Sequence, residues 1–292
     1  MTLPVHVPDL PVHAGERNDL ALQFARIAVE AGAVVMRIYE AGATARFKAD
    51  ASPVCEADEL AEALILTALR RVAPGIPVLA EEAAARGDRP LLDGRFILVD
   101  PVDGTKEFLN RNGEFTVNIA LIEHGVARAG AVYAPALGRL WFAGEDAHTC
   151  QVAPGAALEQ AEGWHQLHSR AALPAGLVVM ASRSHADAAT EDYLAALPVA
   201  ERRSAGSSLK FCAIAAGEAD LYPRFGPTME WDTAAGDAVL RAAGGIVLSL
   251  DGAALRYGKK HDDFRNGGFL AWGRESDARR FASEAPGRTP AS

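Results

Sequence analysis

Two aspartates stand three residues apart on one predicted turn. Asp100 follows the apolar run at residues 96–99, which predicts a β-strand, and Asp103 comes just before Gly104 and Thr105. Two carboxylates on a tight turn repel each other, so we expect a cation between them, and Mg²⁺ prefers carboxylate and carbonyl oxygens. Glycine permits close backbone approach, and the N–H groups after it could hold an oxyanion such as phosphate. The turn therefore indicates metal-dependent phosphoryl chemistry.

Three further acidic residues lie near the ends of predicted elements. Glu81 follows a short strand predicted at residues 77–80, Asp232 opens a helix in the second half, and Asp50 lies between the first two helices. The ends of strands and helices are rigid enough to hold metal ligands. Each acid also has a purely structural interpretation: Asp232 as a helix N-cap, Glu81 with Glu82 as a solvated turn, and Asp50 as the cap of a loop.

The elements that must position these acids follow from the hydrophobic pattern. Apolar residues at helical spacing predict one helix from about residue 20 to 39 and a second over residues 55–72. Short strands and turns over residues 95–144 predict an antiparallel meander. Strands alternate with helices from residue 177 onward. Together, these elements predict layers of helices packed on sheets in an α+β fold.

A weakly patterned stretch, residues 145–175, separates these two halves. Polar, Pro-rich residues begin the chain and polar residues end it, which is typical of loose termini. We therefore predict a flexible arm, two subdomains and a frayed tail, at residues 1–16, 17–150, 151–275 and 276–292.

Composition limits the class of protein. The chain has 292 residues, 49% of them hydrophobic, which is enough for a large core, and its formal charge of −9 argues against broad nucleic-acid binding. Three cysteines without zinc or disulfide spacing favour a reducing compartment. No apolar leader or membrane-spanning run is visible in the sequence. We expect a cytoplasmic protein without a transmembrane segment, a monomer or homodimer, with peripheral association at the inner membrane left open.

Three motifs, in this order, resemble those of the inositol monophosphatase superfamily of metal-dependent, lithium-sensitive phosphatases. They are the Glu81-Glu82 pair, DPVDGT at residues 100–105 and WDTAAG at residues 231–236. Within the superfamily, the segments KADASPV, DGTKEFLNRNGEF, SRSHAD, GSSLKF and LYPRFGPT are similar to bacterial 3′(2′),5′-bisphosphate nucleotidases of the CysQ type. The resemblance runs from about residue 20 to residue 269. It implies a layered αβαβα sandwich with an antiparallel sheet in the N-terminal, metal-binding half and a mixed sheet in the C-terminal, nucleotide-recognition half.

The resemblance also implies the metal ligands. Glu81, Asp100 and the carbonyl of Val102 would bind one Mg²⁺, and Asp100, Asp103 and Asp232 would bind a second, making Asp100 the bridge. Two ions, or three, would activate a water for in-line attack on phosphorus.

Catalytic and substrate-binding roles are implied in the same way. Thr105 would relay a proton to Asp50, since a threonine hydroxyl cannot act as a base unaided, and Glu81 would orient the water. Taken alone, His185 is explained as a surface residue at a helix start and Lys210 as a solvated side chain. The implied substrate-binding residues are Glu81, Val102, Asp103, Gly104, Thr105, Ser182, His185, Ser207, Lys210, Arg224 and Asp232.

The function implied by the resemblance is hydrolysis of adenosine 3′,5′-bisphosphate (PAP) to AMP and phosphate, in support of sulfur assimilation. The sulfated nucleotide and the 2′ isomer are further possible substrates. Inositol 1-phosphate or fructose 1,6-bisphosphate hydrolysis is the alternative, because the metal motifs are shared. A more remote alternative is an inactive module that binds metal or nucleotide. One position departs from the family: Cys55 replaces a threonine that would cap the second helix, which we expect to cost about 1 kcal/mol of stability and no chemistry.

Overall fold

The computed structural model describes residues 15–42, 46–47, 53–54, 56–182 and 188–281, which form two large β-sheets with helices between and outside them, and two further sheets of two short strands each. The α-helices are α1 Glu16–Ala41, α2 Glu56–Val72, α3 Glu81–Ala85, α4 Thr105–Leu109, α5 Ala188–Ala195, α6 Leu209–Ala215, α7 Glu230–Ala242 and α8 Glu275–Arg280. The strands are β1 Arg46–Phe47, β2 Pro53–Val54, β3 Val78–Ala80, β4 Arg95–Asp103, β5 Thr116–Glu123, β6 Val126–Ala134, β7 Arg139–Ala143, β8 Ala147–Gln151, β9 Glu162–Gln166, β10 Leu177–Ser182, β11 Val199–Ala205, β12 Leu221–Arg224, β13 Thr228–Met229, β14 Ile246–Ser249, β15 Arg265–Asn266 and β16 Phe269–Trp272. Short 3₁₀ turns lie at Pro135–Leu137, Leu158–Gln160 and Lys260–Asp262.

The first sheet has seven strands in the order β3-β4-β5-β6-β7-β8-β9. All neighbours are antiparallel except β3 and β4, which run parallel, so the carboxyl ends of these two strands meet at one edge of the sheet. The predicted meander is thereby confirmed. Side chains alternate along β4: Phe96 and Leu98 join one core cluster, whereas Ile97 and Val99 join the other.

Helices cover both faces of this sheet. α1 and α2 pack on the face of Ile97 and Val99, and α7 packs on the face of Phe96 and Leu98. The contact with α7 is close, because a Cβ added to Gly130 on β6 would lie 3.1 Å from the Cα of Ala235. α7 is thus packed closely against β6 at Ala235, three residues after Asp232.

The second sheet has five strands in the order β11-β10-β12-β16-β14, with both parallel and antiparallel pairs. α6 and α7 contact its inner side, and residues of α5 and α8 share a core cluster with its outer side. From α1 and α2 to α5 and α8, the order of layers is αβαβα. The predicted fold class is confirmed.

Two details differ from the predicted subdomain limits. The first sheet continues past residue 150, because β9 at Glu162–Gln166 pairs with β8. Residues 275–280, most of which were assigned to the frayed tail, form α8, and the next residue, Phe281, stacks on Trp272 with ring centroids 5.7 Å apart. Cys55, at the predicted start of α2, lies outside the described residues. Of the helices in the described part of the chain, none combines the length and apolar character needed to cross a membrane.

Candidate active site

The predicted acidic turn lies where β4 leaves its regular pairing. The register with β5 shifts between Asp100 and Asp103, so the chain bulges at this point. Asp100 is buried, and the N–H of Val102 donates to its Oδ1 at 3.0 Å. Val102 is buried as well, beneath the turn. The bulge therefore presents two carboxylates and a backbone segment at the same corner.

Two distant acids join this corner. Glu81 is the first residue of α3, directly after β3, whose end lies beside that of β4. Asp232 lies in the first turn of α7. Burial raises the pKa of Asp100 well above its usual value, and the negative charges of Glu81, Asp103 and Asp232 raise it further. The four carboxylates are therefore close enough to repel one another.

Hydrogen bonds hold two of these carboxylates. Asp103 Oδ2 accepts from Ser207 Oγ at 2.6 Å and from Asn118 Nδ2 at 3.2 Å, and burial raises the pKa of Asp103. Asp232 Oδ2 accepts from the N–H of Met229 at 2.8 Å, and burial, with the charge of Asp103, raises the pKa of Asp232 well above its usual value. In these rotamers, no three acidic, histidine or cysteine side chains of the described residues stand close enough together to ligate an ion.

The chemistry of the donor set nevertheless fits a hard divalent cation. All the side-chain donors are carboxylate oxygens, and their mutual repulsion in a buried place is what such a cation would neutralise. Chelation would require rotation of these side chains, because Asp103 and Asp232 now face hydrogen-bond donors.

The turn after the acids offers a phosphate-binding backbone. Gly104 adopts a left-handed conformation, with φ of 93°, and precedes the short helix α4. A Cβ at this position would approach the carbonyl oxygen of Glu114 at 3.2 Å, so glycine suits both the conformation and the packing. The first N–H groups of a helix lack intrahelical partners. Thr105 Oγ1 lies 3.4 Å from the carbonyl oxygen of Val102.

A cavity of about 270 Å³ opens over the corner. Acidic, backbone and cationic groups share its wall, which includes Glu81, Asp103, Gly104, Thr105, Lys106, Glu107, Gly206, Ser207, Lys210, Phe211, Tyr222, Arg224, Thr228, Asp232 and Thr233.

Two cations line the part of this cavity formed by the C-terminal half. Lys210 is only 4% exposed; its ammonium donates to the carbonyls of Ala205 at 3.1 Å and Ser207 at 2.7 Å, and lies 5.1 Å from the ring centre of Tyr222. Burial lowers the pKa of Lys210 to about 8. Arg224 donates to two nearby backbone carbonyls, those of Gly226 and Pro227. The interpretation of Lys210 as a solvated side chain is therefore wrong.

The purely structural interpretations of Asp232 and of the Glu81-Glu82 pair are also wrong. Asp232 is not the N-cap of α7; Met229 holds that position, and Asp232 accepts its N–H from the first turn. Glu81 and Glu82 are not a solvated turn, since Glu82 is buried and its N–H donates to Glu62 Oε2 at 2.7 Å. The hydroxyl of Ser207 points at Asp103.

Three predicted residues are not fully described. Asp50 and His185 lie outside the described residues. Ser182 ends β10, but its side chain is not among those described. Of the remaining site residues, those on the cavity wall are Glu81, Asp103, Gly104, Thr105, Ser207, Lys210, Arg224 and Asp232, with Asp100 and Val102 buried below them.

Sequence reasoning missed the polar residues behind the acids. Asn118 and Thr116 lie on β5, and Ser208 precedes α6; all three are buried. Thr116 Oγ1 lies 2.6 Å from Ser207 Oγ, and Asn118 Nδ2 lies 3.1 Å from Ser208 Oγ. The signal in the sequence was an asparagine between the apolar residues Val117 and Ile119 of β5.

The chain is similar to known proteins over most of its length. A model of the inositol monophosphatase family matches residues 18–285. The 3′(2′),5′-bisphosphate nucleotidase CysQ of Shigella flexneri is 46% identical over 250 residues, covering 85% of this chain and 97% of that protein. CysQ of Escherichia coli strain K12 is 45% identical with the same coverage.

Solved structures give the same fold. The crystal structure of CysQ from Bacteroides thetaiotaomicron, described as a bacterial member of the inositol monophosphatase family, superimposes with a TM-score of 0.72 at 39% identity, covering 88% of this chain and 98% of that one. The IMPase of Thermotoga maritima gives a TM-score of 0.70 over 93% of this chain and 98% of that one; at 21% identity, this supports the fold alone.

Proposed function

Since this chain belongs to the inositol monophosphatase family, we propose that it is a phosphatase that removes the 3′-phosphate of PAP, giving AMP and phosphate. One observation carries the proposal: the acids Glu81, Asp103 and Asp232 and the cations Lys210 and Arg224 line the same cavity. A bisphosphate needs an anion site besides the site of hydrolysis, and this wall offers both. The bisphosphate nucleotidase activity named for the CysQ relatives supports the same substrate class.

Enzymes of this family are metal-dependent, generally with Mg²⁺. The groups that would hold the metal here are the carboxylates of Glu81, Asp100, Asp103 and Asp232 and the carbonyl of Val102, for two or three ions. Bound magnesium would lower the pKa of a water and neutralise charge on the phosphate oxygens.

The protein's own groups would orient the ester. The N–H groups of Gly104 and Thr105, at the start of α4, would donate to oxygens of the scissile phosphate. Lys210 and Arg224 would bind the second phosphate through charge-assisted hydrogen bonds. Ser182, Ser207 and His185 complete the proposed substrate contacts.

Proton transfer would depend on Thr105. Its Oγ1 would take a proton from the attacking water while its own proton passes to Asp50, and Glu81 would hold the water in line. Because backbone N–H groups would hold the scissile phosphate and the two cations the second phosphate, the substrate would stay fixed relative to this hydroxyl.

A phosphate-release screen tests the proposal. PAP, its 2′ isomer, the sulfated nucleotide, inositol 1-phosphate and fructose 1,6-bisphosphate would be compared with Mg²⁺ and with chelator. We expect PAP to have the highest kcat/KM, and chelator to abolish turnover. Preference for inositol 1-phosphate would refute the nucleotidase proposal. Asp103→Asn should be inactive, whereas Glu275→Gln, an acid-to-amide change at an exposed position of α8, should match the wild type.

The metabolic role is inferred from the proposed reaction, because the geometry of the cavity does not specify it. Removal of PAP would support sulfur assimilation. A cytoplasmic location and a monomeric or homodimeric state stay predictions, and the relatives lend no support to peripheral association with the inner membrane.

A further inference from the structure

We propose that Asn118 and Ser208 are positioning residues, which hold the acid at the end of β4 against the acid in the first turn of α7. This inference rests on the proposed function, because it concerns the binding of magnesium by those acids. It adds two residues that do not line the cavity themselves but hydrogen-bond to acids on its wall.

The hydrogen bonds between these groups allow one arrangement of protons. Asn118 Nδ2 donates one hydrogen to Asp103 Oδ2 at 3.2 Å and its other to Ser208 Oγ at 3.1 Å. Ser208 Oγ then donates its single hydrogen to the carbonyl oxygen of Asp232 at 2.9 Å. A carboxylate and a carbonyl can only accept, so every donor is used once. Through Asn118 and Ser208, this series of hydrogen bonds joins the side chain of Asp103 to the backbone of Asp232.

The placement of Asn118 is costly unless this bridge is needed. It is 1% exposed on a strand whose neighbours, Val117 and Ile119, are fully buried apolar residues. It also pairs across the sheet with Asp100. A buried amide destabilises the fold where its polar atoms lack hydrogen bonds, and Asn118 Oδ1 has no partner among the described residues. Its donors are spent on the acidic corner and on Ser208.

Ser208 connects the bridge to the substrate side. It precedes α6, two residues before Lys210, and is 1% exposed. The bridge therefore links β4, β5, the start of α6 and α7, which together supply three of the four acids and one of the cations. Metal sites require ligands held to about 0.5 Å, and loss of a residue that supports a ligand typically costs about 10- to 100-fold in metal affinity.

Magnesium binding by the full-length protein tests the inference without relying on turnover. The shift of Tm with increasing Mg²⁺ would be measured for wild type, Asn118→Leu and Ser208→Ala. Leucine keeps the strand filled, so this variant should still fold. We expect both variants to require about 10- to 100-fold more Mg²⁺ for half of the full Tm shift. Steady-state assays with PAP should show the same increase in required Mg²⁺, with kcat at saturating metal changed less.

Ser169→Ala is the matched control. Ser169 is 2% exposed, and its Oγ lies 2.9 Å and 2.6 Å from the carbonyl oxygens of Ala243 and Gly273, away from the acids. It should lower the Tm without metal and leave the required Mg²⁺ unchanged. If Asn118→Leu and Ser208→Ala behave like this control while wild type responds to Mg²⁺ and hydrolyses PAP, the positioning role alone is wrong. A wild type with neither response would overturn the proposed function as well.

Discussion

Replacing Lys210 with methionine should stabilise the fold at neutral pH while impairing the enzyme. Burial lowers the pKa of this lysine from its usual 10.5 to about 8, a difference that corresponds to about 3 kcal/mol against folding. Methionine removes that cost but leaves the carbonyls of Ala205 and Ser207 without their donor, at about 1 kcal/mol each. We expect Lys210→Met to raise the free energy of unfolding by about 1 kcal/mol at pH 7.

The pH dependence identifies the cause. Below pH 8, the lysine is charged in both the folded and the unfolded protein, so the folded state carries the whole cost. Between pH 8 and 10.5, the folded protein has lost this proton while the unfolded chain retains it, so wild-type stability rises relative to the variant. The order of stability should therefore reverse, and by pH 10.5 Lys210→Met should be less stable than wild type.

Urea unfolding at pH 7 and pH 10, with chelator present, measures both effects. Lys260→Met is the control, because this exposed lysine also donates to a backbone carbonyl, that of Leu92. Its effect should be small at both pH values. In parallel, kcat/KM of Lys210→Met for PAP should fall roughly 30-fold, since a charged hydrogen bond to phosphate contributes about 2 kcal/mol. A variant destabilised by the same 2 kcal/mol or so at both pH values would refute the assigned burial cost.

Three further outcomes are expected. Asp100→Asn should reduce phosphate release from PAP by about 100-fold or more, because several kcal/mol of charge stabilisation depend on this acid; unchanged release would contradict its role. The Mg²⁺ concentration for half of the Tm shift should fall from pH 6 to pH 8, because raised pKa values of Asp100 and Asp232 make protons compete with the metal; a constant value would argue against these carboxylates as ligands. Gly206→Ala should cost about 1–3 kcal/mol in urea unfolding and reduce turnover, because its Cβ would lie 2.5 Å from the carbonyl oxygen of Glu114, whereas Gly267→Ala meets nothing within 4 Å and should match wild type.

The fold was largely predictable because its core elements carry strong local signals. The long helices α1 and α2 show the helical repeat, and β4 to β7 show apolar runs separated by turns. β9 was missed because most of its residues are exposed, so pairing with β8 and not burial makes it a strand. α8 was missed because polar residues dominate it, and Phe281 beyond it finds its stacking partner Trp272 only in the folded chain.

The site was predictable only where residues lie close in the sequence. The bulge that carries Asp100 and Asp103 is visible as one motif, with its glycine and threonine. The environment of Lys210 is not, because α6 is enclosed by α7 and strands of both sheets, and nothing in GSSLKF shows that enclosure. The partners of Asn118 are equally hidden, since Ser208 stands 90 residues away.

The amino-acid sequence by itself determined which oxygen donors, glycine and cations the chain possesses, and the local turns and helix starts on which they sit. Tertiary structure alone decided that Glu81, the Asp100 corner and Asp232 share one buried place, with charge repulsion that raises carboxyl pKa values. Tertiary structure also decided that the Lys210 side chain is buried away from solvent, which lowers its pKa. The physical reason is that local conformation depends on near neighbours in the chain, whereas burial and Coulomb interaction depend on distance in space.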